Sequence, residues 1–225
     1  MKNFFLFGTF LLMFTFSEAQ QVNLIPMNRG SEYTARDANV LNNAQGSPFF
    51  EEQFTPGILV DTDSDSSNHK LYFRYNVISD QVQIKVLPSK NEIYVLPRQD
   101  RYKYRLKDYS YILENFDTSE GKKISGYVIQ YFNGEKVNFF CKPEYRIIPG
   151  REAKTSFETE QPAKLEIDPV YYLQFGDQPL QEVKLKEREL KEFFRANPEM
   201  DQYFKDHKIK EPEDVVKMLS YFEAN

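Results

Sequence analysis

Gly126-Tyr127-Val128-Ile129-Gln130-Tyr131-Phe132, then Asn133-Gly134, then Glu135-Lys136-Val137-Asn138-Phe139-Phe140-Cys141, is the most informative run in the chain. Two segments rich in aromatic and β-branched residues flank an Asn-Gly pair. That pattern reads as a β-hairpin with a type I′ turn, which needs positive φ at both central positions. In this register Val128 faces Phe139, Gln130 faces Val137 and Gly126 faces Cys141. On the other side Tyr127 meets Phe140, Ile129 meets Asn138 and Tyr131 meets Lys136. Neither face is purely polar. The hairpin is therefore expected at the centre of a sheet, or covered on its second side by a helix or loop.

An earlier hairpin joins Leu71–Ile78 to Gln81–Leu87 through Ser79-Asp80. Its pairing sets Val77 against Val82, Tyr75 against Ile84 and Phe73 against Val86, all apolar. Arg74, Asn76, Gln83 and Lys85 fall on the opposite face, which is expected to be wet. Strand patterning continues around both hairpins, in Glu92–Leu96, Tyr102–Leu106, Tyr109–Phe116, Tyr145–Ile148, Val170–Phe175 and Leu180–Leu185, with one more exposed strand at Thr155–Glu158. Near Lys186 the apolar period changes to helical. Leu190, Phe193 and Phe194 mark one short helix, Met200, Tyr203 and Phe204 a second opened by Pro198 and capped by Asn197. Val215, Val216, Leu219, Tyr221 and Phe222 form the buried side of a third, which starts at Glu211-Pro212. Such short helices gain most of their stability from packing. The fold class is α+β: a mostly antiparallel β-sheet, curled or barrel-like, with a small C-terminal helical tail packed on it.

Composition narrows the function classes. The chain has 225 residues, 40% hydrophobic and 28% charged, with 20 Phe, 15 Tyr and no Trp. That is enough for a self-sufficient core in one domain. A net charge of −5 argues against a nucleic-acid footprint. One Cys excludes an intramolecular disulfide, and two His exclude a His-rich metal site. No phosphate loop, Gly-x-Ser-x-Gly elbow or His-Glu-x-x-His occurs, so NAD, ATP and haem lack support.

The start of the chain reads as a secretory signal peptide. Lys2 is basic, Phe4 to Phe16 is mostly apolar, and Ser17-Glu18-Ala19 offers small residues at the cleavage positions. Cleavage is expected between Ala19 and Gln20. The apolar run is too short to span a bilayer as a helix, and no later run is long enough either, so no transmembrane segment is expected. The division is a signal peptide over 1–19, a flexible arm over 20–45, an antiparallel β domain over 46–185 and helices over 186–225.

Several residues are candidates for chemistry. Asp61, Asp63 and Asp65 copy the first ligand positions of a calcium loop, but Ser66 and Tyr72 stand where such a loop needs Gly and Glu. A surface loop is the plainer reading, with Ca²⁺ as the only cofactor to consider. Arg98, Arg101, Lys103, Arg105 and Lys107, with Tyr102 and Tyr104 interleaved, form a basic aromatic patch, in which Arg101, Tyr102, Tyr104 and Arg105 are the candidate residues for a glycan or anionic ligand. As a strand, it puts the tyrosines on one face and the cations on the other. His69 and His207 read as loop and helix-end residues, and Cys141 as an inert core thiol. Glu92, Asp108, Glu114, Asp117, Glu144 and Glu166 leave a two-carboxylate polysaccharide hydrolase open by counting alone.

Two motifs carry a resemblance. Gly46-Ser47-Pro48-Phe49-Phe50-Glu51-Glu52-Gln53-Phe54-Thr55-Pro56-Gly57 and Leu71-Tyr72-Phe73-Arg74-Tyr75-Asn76-Val77-Ile78-Ser79-Asp80, followed by a Lys/Glu-rich helical tail, are similar to exported Bacteroidetes envelope proteins of unassigned activity. The resemblance implies a periplasmic or secreted location and gives no catalytic residues. The expected role is a non-enzymatic binding or scaffold protein of the cell envelope, with an envelope protein or glycan as partner. A polysaccharide hydrolase and a carrier of a small apolar ligand are the alternatives.

Overall fold

The computed structural model describes residues 24–27, 34–42, 44–63, 66–153 and 159–225. The stretch expected as an export leader, Asp65, and the residues expected as a strand at Thr155–Glu158 lie outside the described residues. The strands are β1 (Ile25–Pro26), β2 (Thr55–Asp61), β3 (Ser66–Asn76), β4 (Gln81–Lys85), β5 (Tyr94–Val95), β6 (Tyr102–Arg105), β7 (Ser110–Asp117), β8 (Lys123–Asn133), β9 (Val137–Ile148), β10 (Lys164–Phe175) and β11 (Gln181–Val183). They form one antiparallel sheet in the order β1-β5-β4-β3-β2-β6-β7-β8-β9-β10-β11. Helices α1 (Ala35–Leu41), α2 (Glu187–Phe193), α3 (Pro198–Asp206) and α4 (Pro212–Ala224) complete the chain. Helix α1 lies within the stretch expected as an arm. Thr34 caps it, accepting from the Asp37 N–H, while Asp37 accepts from the Thr34 N–H.

The sheet is curled but not closed. Rings on strands that are not neighbours meet on its concave face. Tyr75 of β3 lies 5.5 Å from Tyr111 of β7 and 6.4 Å from Tyr127 of β8, centroid to centroid. Leu59, Phe73, Ile84, Tyr104, Ile129 and Cys141 fill the space around them. A strap over residues 44–50 crosses the open side. Its Gln45 pairs in parallel with Lys164 of β10, and its Phe49 pairs with Asn76 of β3. Gly46 has φ +140, and a Cβ there would press on the Leu165 carbonyl at 2.8 Å, so the strap needs glycine at this point.

Both hairpins form, each in a register that differs from the expected one. In the first, Phe73 pairs with Ile84 and Tyr75 with Val82, leaving Val77–Asp80 as the turn. The cause is competition for backbone groups: the Val77 N–H is taken by the strap's Pro48 carbonyl, and the Ser79 N–H by the Asn76 side chain. A slip of two residues keeps every side chain on its face. The face expected to be wet is covered instead. Arg74 is buried beneath Phe49 and Phe54, with its guanidinium 3.5 Å and 4.3 Å from their centroids, and it donates to Gln83. Asn76 is fully buried and donates to Asp37 of α1 at 2.8 Å.

In the second hairpin Phe132 pairs with Phe139, Ile129 with Cys141, and the register shifts between Gln130 and Phe132. Val128 therefore does not face Phe139. The turn runs from Gly134 to Val137, closed by Gly134 N–H to the Val137 carbonyl, and Gly134 does not take positive φ. The type I′ turn is displaced by the tail. Glu223 of α4 accepts from the Lys136 and Val137 N–H groups at 2.8 and 3.0 Å, and a Cβ on Gly134 would collide with that carboxylate. The second face of β8 and β9 is covered as expected. Ile124, Val128, Phe140 and Tyr172 pack under Leu180, whose backbone bonds to Asp117 and Ser119.

The tail packs on the far end of β9 and β10. Leu190, Phe194, Met200, Phe204, Val215, Met218 and Leu219 meet Val137, Phe139 and Leu173. Met218 replaces Tyr221 in the buried stripe of α4, and Tyr221 stays exposed. Asn197 precedes α3 without a side-chain capping bond.

Candidate functional site

The densest polar constellation gathers around Asp80. It is the one described non-glycine residue with positive φ (51°), a conformation Asp tolerates better than most. That turn aims its carboxylate across the curl at β8 and β9. Oδ1 accepts from the Tyr75 hydroxyl at 2.6 Å, the Lys142 ammonium at 2.9 Å and the Tyr127 N–H at 3.1 Å. Oδ2 accepts from Arg98 at 2.7 Å, and a second Arg98 nitrogen donates to the Asp80 carbonyl at 2.7 Å. Lys142 also donates to the Tyr127 carbonyl and the Tyr75 hydroxyl. Only glycine at 126 admits this approach, because a Cβ there would overlap the carboxylate.

Burial alone would raise the Asp80 pKa. The Lys142 charge, with hydrogen bonds from Tyr75, Lys142 and Arg98, outweighs it and holds the carboxyl below the usual carboxylate range. Burial, and then the neighbouring Asp80 charge, push the Tyr75 phenol well up. A low-pKa carboxylate with its lone pairs occupied is a poor proton acceptor. The arrangement is chemically a brace: it fastens the β3–β4 turn to β8 and β9.

The Asp residues proposed for calcium meet the basic patch. Asp61 ends β2, buried, and accepts from the Asp63 N–H at 3.1 Å. Arg101 lies 3.7 Å from both the Asp61 and Asp63 carboxylates and donates to the Tyr102 hydroxyl at 2.6 Å. A guanidinium thus pairs with two of the three carboxylates weighed for calcium, Asp65 lying outside the described residues. Tyr102 and Tyr104 are buried in the concave core, while Arg105 points outward. The four candidate residues of the patch divide between two faces. Moreover β6 is an interior strand between β2 and β7, not an edge.

Among the carboxylates weighed for hydrolysis, Glu144 pairs with Lys122 at 2.6 Å, and Glu166 with Arg146 at 2.9 Å and Lys164 at 3.1 Å. Glu144 faces Asp168 across β9 and β10, but Asp168 is held by Arg146 and both side chains are about half exposed. They stand on an open ribbon and not in a cleft. Cys141 is fully buried, and burial pushes its thiol up. His207 stacks on Tyr203 with centroids 4.2 Å apart.

Sequence reading missed the Asp80 node. Asp80 read as a turn residue, Lys142 followed the second hairpin without a pattern, and Arg98 read as one cation of the basic aromatic patch. The one available signal was Gly126 inside a strand, which marks a close approach of another group. No protein-family profile, curated protein or solved structure matches the chain.

Proposed function

We propose that the chain is an exported, non-enzymatic binding and scaffold protein of the cell envelope. The observation that carries this reading is the Asp80 node. The molecule's best-built polar cluster is saturated by Tyr75, Tyr127, Lys142 and Arg98 and holds the sheet in its curl. The concave side that would cradle a small ligand is filled with its own rings, including Phe73, Tyr75, Tyr104 and Tyr111, each at most 1% exposed. What this fold offers a partner is its outer surface. The basic, apolar and small-residue parts of the leader support export, and the resemblance in residues 46–57 and 71–80 supports an envelope location.

Fractionation of a Bacteroidetes host expressing the full chain tests the reading. The mature protein is expected in the periplasm or medium with Gln20 at its N-terminus and no release of reducing ends from envelope polysaccharide. Retention of Met1 in the cytosol would remove the location. Sugar release abolished by Glu144→Gln or Asp168→Asn would replace the binding role with hydrolysis.

A further inference from the structure

The outward side of β2 is apolar along its length: Pro56, Ile58 and Val60 alternate with inward Gly57 and the buried Leu59. Cations flank this line on both neighbouring strands. Ile58 is the cross-strand partner of Lys70 on β3 and of Arg105 on β6, and Val60 is the partner of Lys103 on β6. Direct partners share a face, so Lys70 stands on one side of the aliphatic line and Lys103 and Arg105 on the other. Among the described residues none of these three cations has a carboxylate in ion-pair contact. Lys103 instead donates to Gln130 at 2.6 Å. Burial, and then the Arg105 charge, lower the Lys103 pKa. The two like charges on β6 thus lie close together without compensation.

We infer that this face docks an acidic amphipathic helix of a partner protein, its aliphatic stripe on Pro56, Ile58 and Val60 and its flanking carboxylates on Lys70, Lys103 and Arg105. The dimensions fit. Two strand spacings put Lys70 and Arg105 about 10 Å apart, close to the diameter of a helix. Lys103 and Arg105 are separated by about 6.6 Å along the strand, near the 5–6 Å between helix positions i and i+4. Charge complementarity sets the sign of the partner. The aliphatic floor selects a protein helix over an acidic glycan, which would present no apolar stripe. The inference rests on the binding role proposed above and names its partner class.

The test uses the mature chain and a synthetic helical peptide with a leucine stripe flanked by glutamates, read by fluorescence anisotropy at low and high salt. Binding is expected in the micromolar range, weakened about tenfold or more by Lys70→Glu with Arg105→Glu, and weakened by salt. Arg105→Gln, a milder change, should weaken it by a smaller factor, with thermal unfolding of each variant confirming the fold. No binding up to about 1 mM, indifference to both variants, or equal binding of the same peptide with lysine in place of glutamate would overturn the inference. Tighter binding of polygalacturonate than of the peptide would overturn it in favour of a glycan. Export with no peptide binding sinks the helix site alone. Peptide binding by a protein that stays in the cytosol sinks the envelope role and leaves the site.

Discussion

Asp80 shows how one backbone conformation organises distant residues. Its positive φ turns the carboxylate away from its own hairpin and into the reach of Lys142, 2.9 Å away, with Gly126 vacating the space between. Gly126→Ala forces both a Cβ at φ +114 and a collision with Asp80, so it is expected to lose at least about 2 kcal/mol in urea unfolding. The acid limb of stability is set here too. The folded Asp80 pKa lies below that of the unfolded chain. Its contribution is therefore present above the unfolded value near about 3.9 and is lost as pH falls through the folded value. Asp80→Asn should flatten that loss between neutral and acid pH. An unchanged acid limb would show that the node does not control it.

At the scale of elements, α4 and the β8–β9 turn define each other. Glu223 supplies the acceptor that two turn N–H groups need, and Lys136 donates to the Phe222 and Glu223 carbonyls at the helix end. Glu223→Ala is expected to cost about 1–3 kcal/mol and to speed hydrogen exchange in α4 and the Lys136–Val137 amides, leaving the β3 and β7 amides protected. Uniform loss of protection would mean that the tail is not a separable unit.

This pair also shows where the sequence stopped being informative. Asn133-Gly134 correctly announced a hairpin, since the alternating Val, Ile and Phe on either side permit little else. Its register was settled by Glu223, nearly ninety residues later in the chain, which no local pattern reveals. The first hairpin repeats the lesson. Phe73, Tyr75, Val82 and Ile84 declared their shared face, but the strap's claim on the Val77 N–H fixed the ladder two residues away from the tightest turn. The helical stripes of Leu190, Met200, Phe204 and Leu219 were legible because period and burial agree there. Asp61, Asp63 and Arg101 were each visible as candidates. Their mutual pairing was not, because it depends on β2 and β6 lying side by side.

For the whole molecule, the sheet's edges never meet, so strap and node together hold the curl. The concave core they enclose is rich in phenols. Burial raises Tyr75, Tyr104 and Tyr111 and pushes Tyr171 up to about 12, and on the opposite face it pushes Tyr172 up to about 12 as well. Raised folded values make the unfolded chain the first to ionise. The phenols' contribution to stability should therefore be full below about pH 10 and fall as pH rises above it. In an absorbance titration near 295 nm the buried phenolates should appear together with the unfolding transition. Their ionisation in a still-folded protein would mean a wetter core.

The curl itself is tested most directly by a double-mutant cycle on Asp80 and Lys142. Asp80→Asn, Lys142→Met and the double variant are compared by urea unfolding at neutral pH. Asp80→Asn leaves the largely buried Lys142 without its carboxylate, and a loss of about 3 kcal/mol is expected; Lys142→Met leaves Asp80 still paired with Arg98, and a loss of about 2 kcal/mol is expected, with a coupling of about 2 kcal/mol between them. A coupling within about 0.5 kcal/mol of zero would mean that the β3–β4 turn is not fastened across the sheet, and the braced curl would have to be abandoned.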